Sequence, residues 1–486
     1  MGTITQQQTL ESVFGEQVTI EPTPLIQISN QYGLDPALRE DLEIFEAITG
    51  SADSDNNLYR CQTGVDQFGY GVVRSKEVAV YRAGQGVEAR ITAAFTPGVA
   101  NSLQFAGLFS LTETAAFGYD GANFGIIHEY DGHAEVQELQ VTAAAGGAET
   151  ATITLDGDAF TANLTAGTEQ LNAYEIEQAA IADGTINGKW RVEQQDDKVI
   201  FISKSVGDKT GTFSFSSSTA TATLTEKAAG VTKSNGNVVQ GSWNIKTTPF
   251  AGFDPTKLNL YRIEYGYLGA VSCIFSVYNP DNGHFIPVHR IKWANANTTP
   301  IFGNPDMKIG WTSASLGSTG TNLTVTGASA YVAVGGKNVF VNQSKSDSNS
   351  KTSVTALTPI ITIKNRITYG NRFNLGKILA LLASSTNDHN KSVIVEVYKN
   401  ATLSGTTNFQ LVDDTNSIVL IDKDATGISG GTQIATFPVS AGGAEEEDLE
   451  KFLIELLPEE TLTVAARATT GTATSVDAAI TWLEEK

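Results

Sequence analysis

The sequence contains few of the residues that metal-binding and nucleophilic sites depend on. Its 486 residues include two cysteines and five histidines. Cys61 and Cys273 lie far apart, and the sequence has no C-x-x-C pair and no Cys/His cluster with zinc spacing. The sheet-like context of both cysteines favours two buried thiols over one long-range disulfide. No metal or other cofactor is expected.

Charged residues are also scarce, at 17% of the chain, and basic residues are the rarer kind. Thirty-two Lys and Arg against 53 Asp and Glu give a net charge of −21. A field of that sign repels phosphate backbones and anionic lipid, so nucleic acid is not expected as a partner. Ser, Thr, Asn, Ala and Gly replace the missing charges, a composition typical of β-sandwiches and of extracellular or virion proteins.

Long apolar runs are missing as well. No run approaches the roughly 18 residues that a membrane span needs, so membrane insertion is not expected. The start, residues 1–8, has neither the basic nor the apolar region of a secretory signal. These features favour a protein that is made in a cytoplasm and reaches an exposed position without secretion, as virion proteins do.

Residues 1–75 are interpreted as an N-terminal arm and a short helix that anchor the protein. Residues 1–30 are polar, with scattered β-branched residues, and are expected to be extended. A helix is predicted to begin after Asp35 as N-cap, with Pro36 in the first turn, and to end at Gly50. Its apolar stripe, at positions i, i+4 and i+7, consists of Leu38, Leu42 and Phe45.

The rest of the chain has the two-residue period of β-strands and many Asp-Gly turns, which indicate hairpins. The predicted fold class is mainly β: a split, jelly-roll-like β-sandwich with a small α+β insert, followed by a C-terminal β-sandwich. The predicted boundaries are 76–136 and 236–342 for the two halves of the split sandwich, 137–235 for the insert, 343–355 for a Ser/Asn-rich linker and 356–486 for the C-terminal sandwich. Strands are predicted at 77–82, 87–95, 103–109, 115–119 and 124–130, and the insert is expected to be β-β-α-β-β.

Carboxylates were the first candidates for catalysis, because glycosidases use pairs of them. On a strand such a pair would occupy alternate positions, and Glu264 has no acidic partner at i+2 or i+4. The acidic run at 445–448 is interpreted as a solvated loop or a weak cation site. We therefore expect no catalytic residues and no enzyme activity.

Aspartates in turns and four histidines are the remaining candidates for metal binding. Asp is a favoured turn residue, and no EF-hand spacing supports calcium, so turns are the preferred interpretation. The aspartates are Asp156, Asp158, Asp196, Asp197, Asp413, Asp414, Asp422 and Asp424. The histidines, which could equally be polar-face strand residues, are His128, His133, His284 and His289.

An aromatic face is the remaining candidate site. Tyrosines and tryptophans on one sheet face either stack on sugar rings or form the core of a sandwich. The following loop carries asparagines that could bind glycan hydroxyls or contact a second subunit. The candidate glycan-binding residues are Tyr261, Tyr265, Tyr267, Trp293, Asn295 and Asn297, and Trp311 belongs to the same aromatic set.

Several segments resemble a module of virion structural proteins from tailed bacteriophages and other large DNA viruses. They are ARITAAF (89–95), NSLQFAGLF (101–109) and FGYDGANFGII (117–127), with LYRIEYGYL (260–268) and KWANANTTP (292–300) as the second half. The resemblance covers roughly residues 30–335 and implies a split module with a small inserted decoration. It identifies a class of particle component and no functional residues.

The resemblance implies a protein on the virion exterior, as a capsid- or tail-attached fibre, spike or decoration. Residues 1–75 would anchor it, and the distal sandwich would contact the host or a neighbouring subunit. The expected partners are other virion proteins, further copies of the chain as a homo-oligomer, and a host-surface glycan. The alternatives are a carbohydrate-binding module and, with less support, a surface-polysaccharide depolymerase.

Overall fold

The computed structural model describes residues 22–31, 33–34, 41–266, 268–336, 344–388, 391–405, 407–470 and 473–486. The chain divides into two compact units. The first unit comprises Met1–Gly132 and Thr232–Val339, and the second comprises His133–Val231 and Phe340–Lys486. In the second unit, we call His133–Val231 the insert and the remainder the C-terminal sandwich.

Before the insert, the described residues form nine strands. They are β1 (Pro22–Ser29), β2 (Leu42–Ala47), β3 (Ser51–Asp55), β4 (Leu58–Gln62), β5 (Tyr70–Ser75), β6 (Val87–Phe95), β7 (Ser102–Phe109), β8 (Thr114–Asp120) and β9 (Asn123–Tyr130). The Asp120-Gly121 turn joins β8 to β9 as the sequence predicts, because Gly121 takes a positive φ of 57° there.

The insert contains seven strands and two helices. They are β10 (Ala134–Ala143), β11 (Glu149–Leu155), β12 (Asp158–Leu164), α1 (Glu169–Ala182), α2 (Gly184–Lys189), β13 (Trp190–Gln195), β14 (Lys198–Val206), β15 (Ser214–Ser216) and β16 (Thr221–Ala228). Thr168 caps α1 by accepting a hydrogen bond from the backbone N–H of Leu171 at 3.2 Å. The expected β-β-α-β-β order is therefore present from β11 to β14, with β10 before it, α2 after α1, and β15 and β16 at its end.

After the insert, the part of the first unit that the structure describes contains eight further strands. They are β17 (Ser234–Asn235), β18 (Val238–Val239), β19 (Asn259–Tyr265), β20 (Cys273–Asn279), β21 (His284–Ile291), β22 (Lys308–Ser315), β23 (Thr324–Gly327) and β24 (Ser329–Gly335), with a 3-10 turn at Gln240–Ser242.

The C-terminal sandwich contains fifteen strands within residues 344–388, 391–405, 407–470 and 473–486. They are β25 (Lys345–Val354), β26 (Thr358–Asn365), β27 (Thr368–Tyr369), β28 (Arg372–Phe373), β29 (Lys377–Asn387), β30 (Val393–Lys399), β31 (Thr402–Ser404), β32 (Gln410–Leu411), β33 (Val419–Asp422), β34 (Gly427–Ser429), β35 (Thr432–Val439), β36 (Ala444–Asp448), β37 (Glu455–Leu456), β38 (Thr461–Ala468) and β39 (Thr474–Glu485), with a 3-10 turn at Glu450–Phe452.

Two antiparallel sheets pack face to face in the first unit, so this unit is a β-sandwich. Sheet A has the order β21-β20-β19-β6-β23-β4-β3, with β24 pairing both β6 and β1. Sheet B has the order β17-β9-β8-β7-β22-β5-β2, with β18 also on β9. Each sheet combines strands from before and after the insert, so the sandwich is split as expected.

Aromatic rings fill the space between sheets A and B. The ring of Phe117 in sheet B lies 4.6 Å from that of Tyr261 and 5.5 Å from that of Phe275, both in sheet A. The buried Trp311 indole donates a hydrogen bond to the backbone oxygen of Thr92 at 2.8 Å. A Cβ on Gly327 would lie 2.0 Å from the indole nitrogen, so only glycine allows this contact.

Both cysteines are free and lie in this core, as expected for buried thiols. Cys61 belongs to β4 and Cys273 to β20, strands that are separated by three others in sheet A. Burial raises the pKa of each thiol well above its usual range, which keeps both protonated and unreactive.

The predicted N-terminal helix is wrong over its described part. Leu42 and Phe45 lie in β2, which pairs with β5 from Leu42 opposite Ser75 to Ala47 opposite Tyr70. A helix would bury both apolar side chains on one stripe, whereas here Leu42 is buried and Phe45 is exposed. Pairing with β5 overrides the local helix signal. The start of the predicted helix, at 35–40, lies outside the described residues.

The predicted arm and the first predicted strand also differ from the structure. Residues 1–21 lie outside the described residues, but β1 is a strand of sheet A, paired with β24 from Pro22 opposite Gly335 to Ser29 opposite Ser329. The strand predicted at 77–82 is reduced to one isolated bridge between Ala79 and Met307.

The C-terminal sandwich has two main sheets, two small two-stranded sheets (β27-β28 and β31-β34) and its own apolar core. The orders are β25-β39-β29-β36, with β37 also on β29, and β32-β33-β26-β38-β30-β35. The buried Trp482 of β39 belongs to this core. The residues predicted to be a linker form β25, which pairs with β39 from Lys345 opposite Trp482. The acidic run predicted as a loop is the edge strand β36.

The insert and the C-terminal sandwich meet at a charged junction. Glu193 of β13 is fully buried, and its carboxylate lies 3.0 Å from the ammonium of Lys364 in β26. The other carboxylate oxygen accepts a hydrogen bond from the backbone N–H of Ile367 at 2.9 Å. One side chain of the insert thus neutralises a buried cation and satisfies a backbone donor of the C-terminal sandwich.

Backbone and amide hydrogen bonds extend this junction. The backbone N–H of Asp196 donates to the carbonyl of Phe409 at 2.8 Å. The backbone N–H of Phe409 donates to the amide oxygen of Gln194 at 3.0 Å. At the exposed margin, Arg191 and Glu459 form an ion pair of 2.9 Å. The insert, which the sequence presented as a decoration of the split sandwich, therefore forms one compact unit with the C-terminal sandwich.

Candidate functional site

The predicted aromatic platform is buried in the core of the first unit. Tyr261 and Tyr265 are both 0% exposed, and the hydroxyl of Tyr265 donates to the backbone oxygen of Pro305 at 2.7 Å. The face of β19 that carries them is the inner face of sheet A, so neither ring can stack on a sugar. Tyr267 lies outside the described residues, and Trp311 is core as well. For Tyr261, Tyr265 and Trp311 the structure therefore agrees with the core interpretation and not with a platform.

Trp293 is also buried, but it holds an exposed loop in place. Its indole N–H donates to the backbone oxygen of Thr299 at 2.5 Å, closing the loop onto its own base. Its ring packs edge-on against Tyr130 at 4.9 Å. Residues 294–300, which carry Asn295 and Asn297, are all exposed. We call residues 294–300 the Asn loop.

A buried carboxyl holds the chain that leaves the Asn loop. Glu113 is 1% exposed and accepts hydrogen bonds from the backbone N–H of Gly303 at 2.7 Å and of Asn304 at 3.3 Å. Burial raises the pKa of Glu113 to about 7, although these hydrogen bonds act in the opposite direction. No sequence motif marks Glu113, because its partners lie 190 positions away.

The imidazole of His128 packs beside the same loop. Its ring lies 6.0 Å from that of Trp293 and 5.7 Å from that of Phe302. Burial lowers the pKa of His128 to about 4, so it is neutral near pH 7. The Asn loop therefore presents neutral amides and hydroxyls on a base fixed by Trp293, Glu113 and His128, an arrangement suited to hydrogen bonding with a neutral polar partner.

Glu264 does have an acidic neighbour, on the adjacent strand. It faces Glu88 across the β19–β6 pair, and Arg262 joins the two. The Arg262 guanidinium lies 2.9 Å from Glu264 and 3.8 Å from Glu88, and it stacks over the Phe285 ring at 4.6 Å. Burial raises the pKa of Glu264 to about 7, while Arg262 acts to lower it. Arg262 thus forms ion pairs with Glu264 on its own strand and with Glu88 on the neighbouring strand β6.

The turn aspartates act as turn and strand-end residues. Asp156 accepts from the backbone N–H of Gly211 at 2.8 Å, Asp158 pairs with Lys189, and Asp413 accepts from the backbone N–H groups of Thr415 and Asn416. Among the residues that the structure describes, no group of three or more His, Cys, Asp or Glu is arranged to hold a metal ion. In the same residues, no helix is long and apolar enough to cross a bilayer.

Comparisons with known proteins give structural neighbours only. No family model and no curated protein sequence matches the chain. Matching structures include a lectin from Bauhinia forficata in complex with GalNAc, at 12% identity over 65% of this chain and 100% of that one, with a TM-score of 0.22. A legume lectin-like domain from Entamoeba histolytica matches at 8% identity over 63% of this chain and 95% of that one, with a TM-score of 0.24.

Lectin II from Ulex europaeus matches at 6% identity over 64% of this chain and 100% of that chain, with a TM-score of 0.23. TM-scores this low assign neither a family nor a function to the chain.

Proposed function

We propose that this protein is a structural component of a virus particle, placed on the exterior as a fibre, spike or decoration. The observation that carries the proposal is the use of its buried and half-buried carboxylates. These carboxylates accept hydrogen bonds from backbone N–H groups of distant segments and so hold those segments together. A component of a virus particle requires a stable architecture of this kind.

Glu113, Glu484 and Glu149 are the clearest examples of carboxyl groups that link distant segments. Glu113 joins segments 190 positions apart. Glu484 accepts from the hydroxyl of Ser417 at 2.7 Å and from the backbone N–H of Ile418 at 2.9 Å, 66 positions away. Glu149 accepts from the backbone N–H of Ala220 at 2.8 Å. At Glu484 and Glu149, hydrogen bonds to the carboxylate outweigh burial and hold the pKa below its usual range, so these contacts are charge-assisted and stronger than neutral ones.

Purified particles of the virus that encodes the chain provide the test. We expect the protein to copurify with intact particles and to be labelled on them by a specific antibody without disruption. Its absence from purified particles would overturn the proposal, and labelling only after disruption would overturn the exterior position.

Anchoring by the N-terminal residues can be tested separately. Deleting residues 1–21 leaves β1 available to pair with β24. We expect the shortened protein to fold but not to enter particles. Normal incorporation would exclude these residues as the anchor and leave the particle assignment intact.

Glycan binding by the Asn loop is a second candidate function, favoured by its exposed amides on a fixed base. The test is a glycan array with the double variant Asn295→Ala/Asn297→Ala, compared with Asn282→Ala in another exposed loop as control. We expect any glycan signal to disappear in the double variant alone. A signal unchanged in both variants would exclude the Asn loop.

A further inference from the structure

One end of the first-unit sandwich is formed by four loops that are almost free of charge. We call this surface the loop end; it consists of residues 48–50, 63–69, 96–101 and 316–323, which connect β2 to β3, β4 to β5, β6 to β7 and β22 to β23. Asp66 is the one charged residue in these 24 positions. In a chain with a net charge of −21, this surface is a local exception.

Hydrogen bonds fasten the four loops to one another. The backbone N–H of Leu316 donates to the carbonyl of Asn101 at 2.8 Å, and that of Gly64 donates to the side-chain oxygen of Asn322 at 2.9 Å. The backbone N–H of Asp66 lies 3.4 Å from the hydroxyl of Thr49. The loop end is therefore one continuous surface.

Large apolar side chains project from this surface into solvent. Ile48 is 65% exposed, Val65 and Phe68 are each 59% exposed, and Leu316 is 56% exposed. Single exposed apolar residues are ordinary, but four on adjoining loops form a patch of the kind that marks an interaction site.

The backbone shows that two of these side chains are held there at a cost. Ile48 has a φ of 60° and Phe68 a φ of 61°, in the left-handed region where glycine or asparagine is normally found. A β-branched residue such as Ile48 is a clear outlier in that region. Both side chains remain more than half exposed, so they add little to the packing of the isolated fold.

We propose that the loop end is the surface through which two copies of this chain associate. Charged residues are depleted at the buried centre of protein–protein interfaces, and homodimer interfaces are the more apolar kind. Of the 24 loop residues, all but Thr63, Gly69 and Leu323 are at least partly exposed, and the remaining 21 match the roughly 20–30 residues that each partner contributes to a stable interface. Elsewhere the net charge of −21 makes two copies repel each other, so contact is favoured where charge is missing.

This inference does not depend on the particle assignment, because it concerns the purified chain alone. The proposal also predicts how self-association changes with salt concentration. An apolar contact between two acidic molecules tightens when salt screens their repulsion, whereas association through ion pairs weakens.

Sedimentation equilibrium on the full chain tests the proposal, with Ile48→Asn and Phe68→Asn as variants. Asparagine fits the left-handed backbone and removes the apolar side chain. We expect the wild type to exceed its monomer mass of 51.6 kDa and to associate more tightly as salt rises. Each variant should weaken association by about tenfold or more.

Leu453→Asn is the matched control, because Leu453 is also exposed and also has a positive φ, of 51°, but lies in the second unit. It should associate as the wild type does, and all three variants should melt no lower than the wild type when monomeric. A monomeric wild type, variants that associate normally, or an equal loss in Leu453→Asn would each overturn the proposal. So would flotation with neutral phosphatidylcholine vesicles that disappears in the two loop-end variants, since it would assign the surface to lipid.

Discussion

The core of the first unit is packed from apolar aromatic side chains, whereas the junction of the second unit is held by charged and hydrogen-bonding groups. Between sheets A and B, rings such as Phe117 and Tyr261 fill space with contacts of little directional demand. At the junction, Glu193 must meet Lys364 and the N–H of Ile367 at defined distances. The aromatic core can therefore accept a side chain of somewhat different shape. The junction can hardly accept the loss of one of its hydrogen-bonding or charged groups.

The difference follows from what each group loses when its neighbour is removed. A ring next to a gap loses dispersion contacts and part of the free energy of burial. A buried ammonium without its carboxylate retains the full cost of leaving water. Substitutions of similar size should therefore have unequal effects in the two regions.

The largest effect is expected at the junction. Replacing Glu193 with alanine removes the carboxylate that pairs with the half-buried Lys364, leaving Glu177 as the other carboxylate that acts on it, and removes the acceptor of the Ile367 N–H. We expect a loss of about 3–5 kcal/mol in the free energy of unfolding of the second unit. Urea denaturation would measure it. The double variant Glu193→Met/Lys364→Met should recover part of the loss, because it removes the unpaired ammonium, although Glu177 then loses the cation that Lys364 supplies and the N–H of Ile367 still lacks its acceptor. Equal losses in the single and double variants would contradict this account.

Glu113 is the exception in the first unit, a buried carboxyl beside an aromatic core. Its folded-state pKa of about 7 is above the value of 4.5 for an unperturbed carboxyl. Its stabilising contribution is therefore fully present below about pH 4.5 and is lost as pH rises through about 7.

The shift predicts that the wild type loses about 3 kcal/mol relative to Glu113→Gln between pH 4.5 and the range above pH 7. The glutamine can still accept the hydrogen bonds from Gly303 and Asn304 but does not ionise. Thermal melts of both proteins across this range are the measurement. Parallel pH profiles would show that Glu113 ionises normally.

A milder change is expected in the aromatic core. Phe117→Leu removes the ring contacts with Tyr261 and Phe275 but keeps an apolar side chain, and we expect a loss of about 2 kcal/mol. Urea denaturation of the first unit is the measurement. A loss as large as that of Glu193→Ala would remove the contrast between the two regions.

The smallest effect is expected at the cap of α1. Thr168→Ala removes the hydroxyl that accepts from Leu171 and should cost about 1 kcal/mol. Because the junction joins the insert to the C-terminal sandwich, this loss should lower the same unfolding transition that Glu193→Ala lowers. A separate transition for the insert, followed by its own helix signal in circular dichroism, would show that the junction does not couple them.

Local signals in the sequence were sufficient for the fold class. The Asp120-Gly121 turn between two alternating strands gave the β8–β9 hairpin, and the period of two gave the mainly β character. Strands whose formation depends on distant partners cannot be recognised from local signals. β2 was mistaken for a helix, and β25 was mistaken for a linker because its partner β39 lies more than 100 positions away.

The candidate site was predictable only in part, for a related reason. Alternation places Tyr261 and Tyr265 on one face of a strand but does not say whether that face is the inner one. The pairing of Glu88 with Glu264 exists only across two strands, so no spacing within one strand could show it. Asn295 and Asn297 are exposed as expected, because a short polar run after a buried tryptophan is a loop signal that needs no distant partner.

The insert leaves and rejoins the chain at one place, where His133 and Val231 exchange backbone hydrogen bonds of 2.9 Å. Adjacent ends of this kind let recombination exchange a whole domain without disturbing the strands around it. Here the exchange carries a constraint, because a new insert lacking the carboxylate of Glu193 would leave Lys364 and Ile367 without their partner. We therefore expect natural variants of this protein to inherit the insert and the C-terminal sandwich together, while the aromatic sandwich diverges on its own.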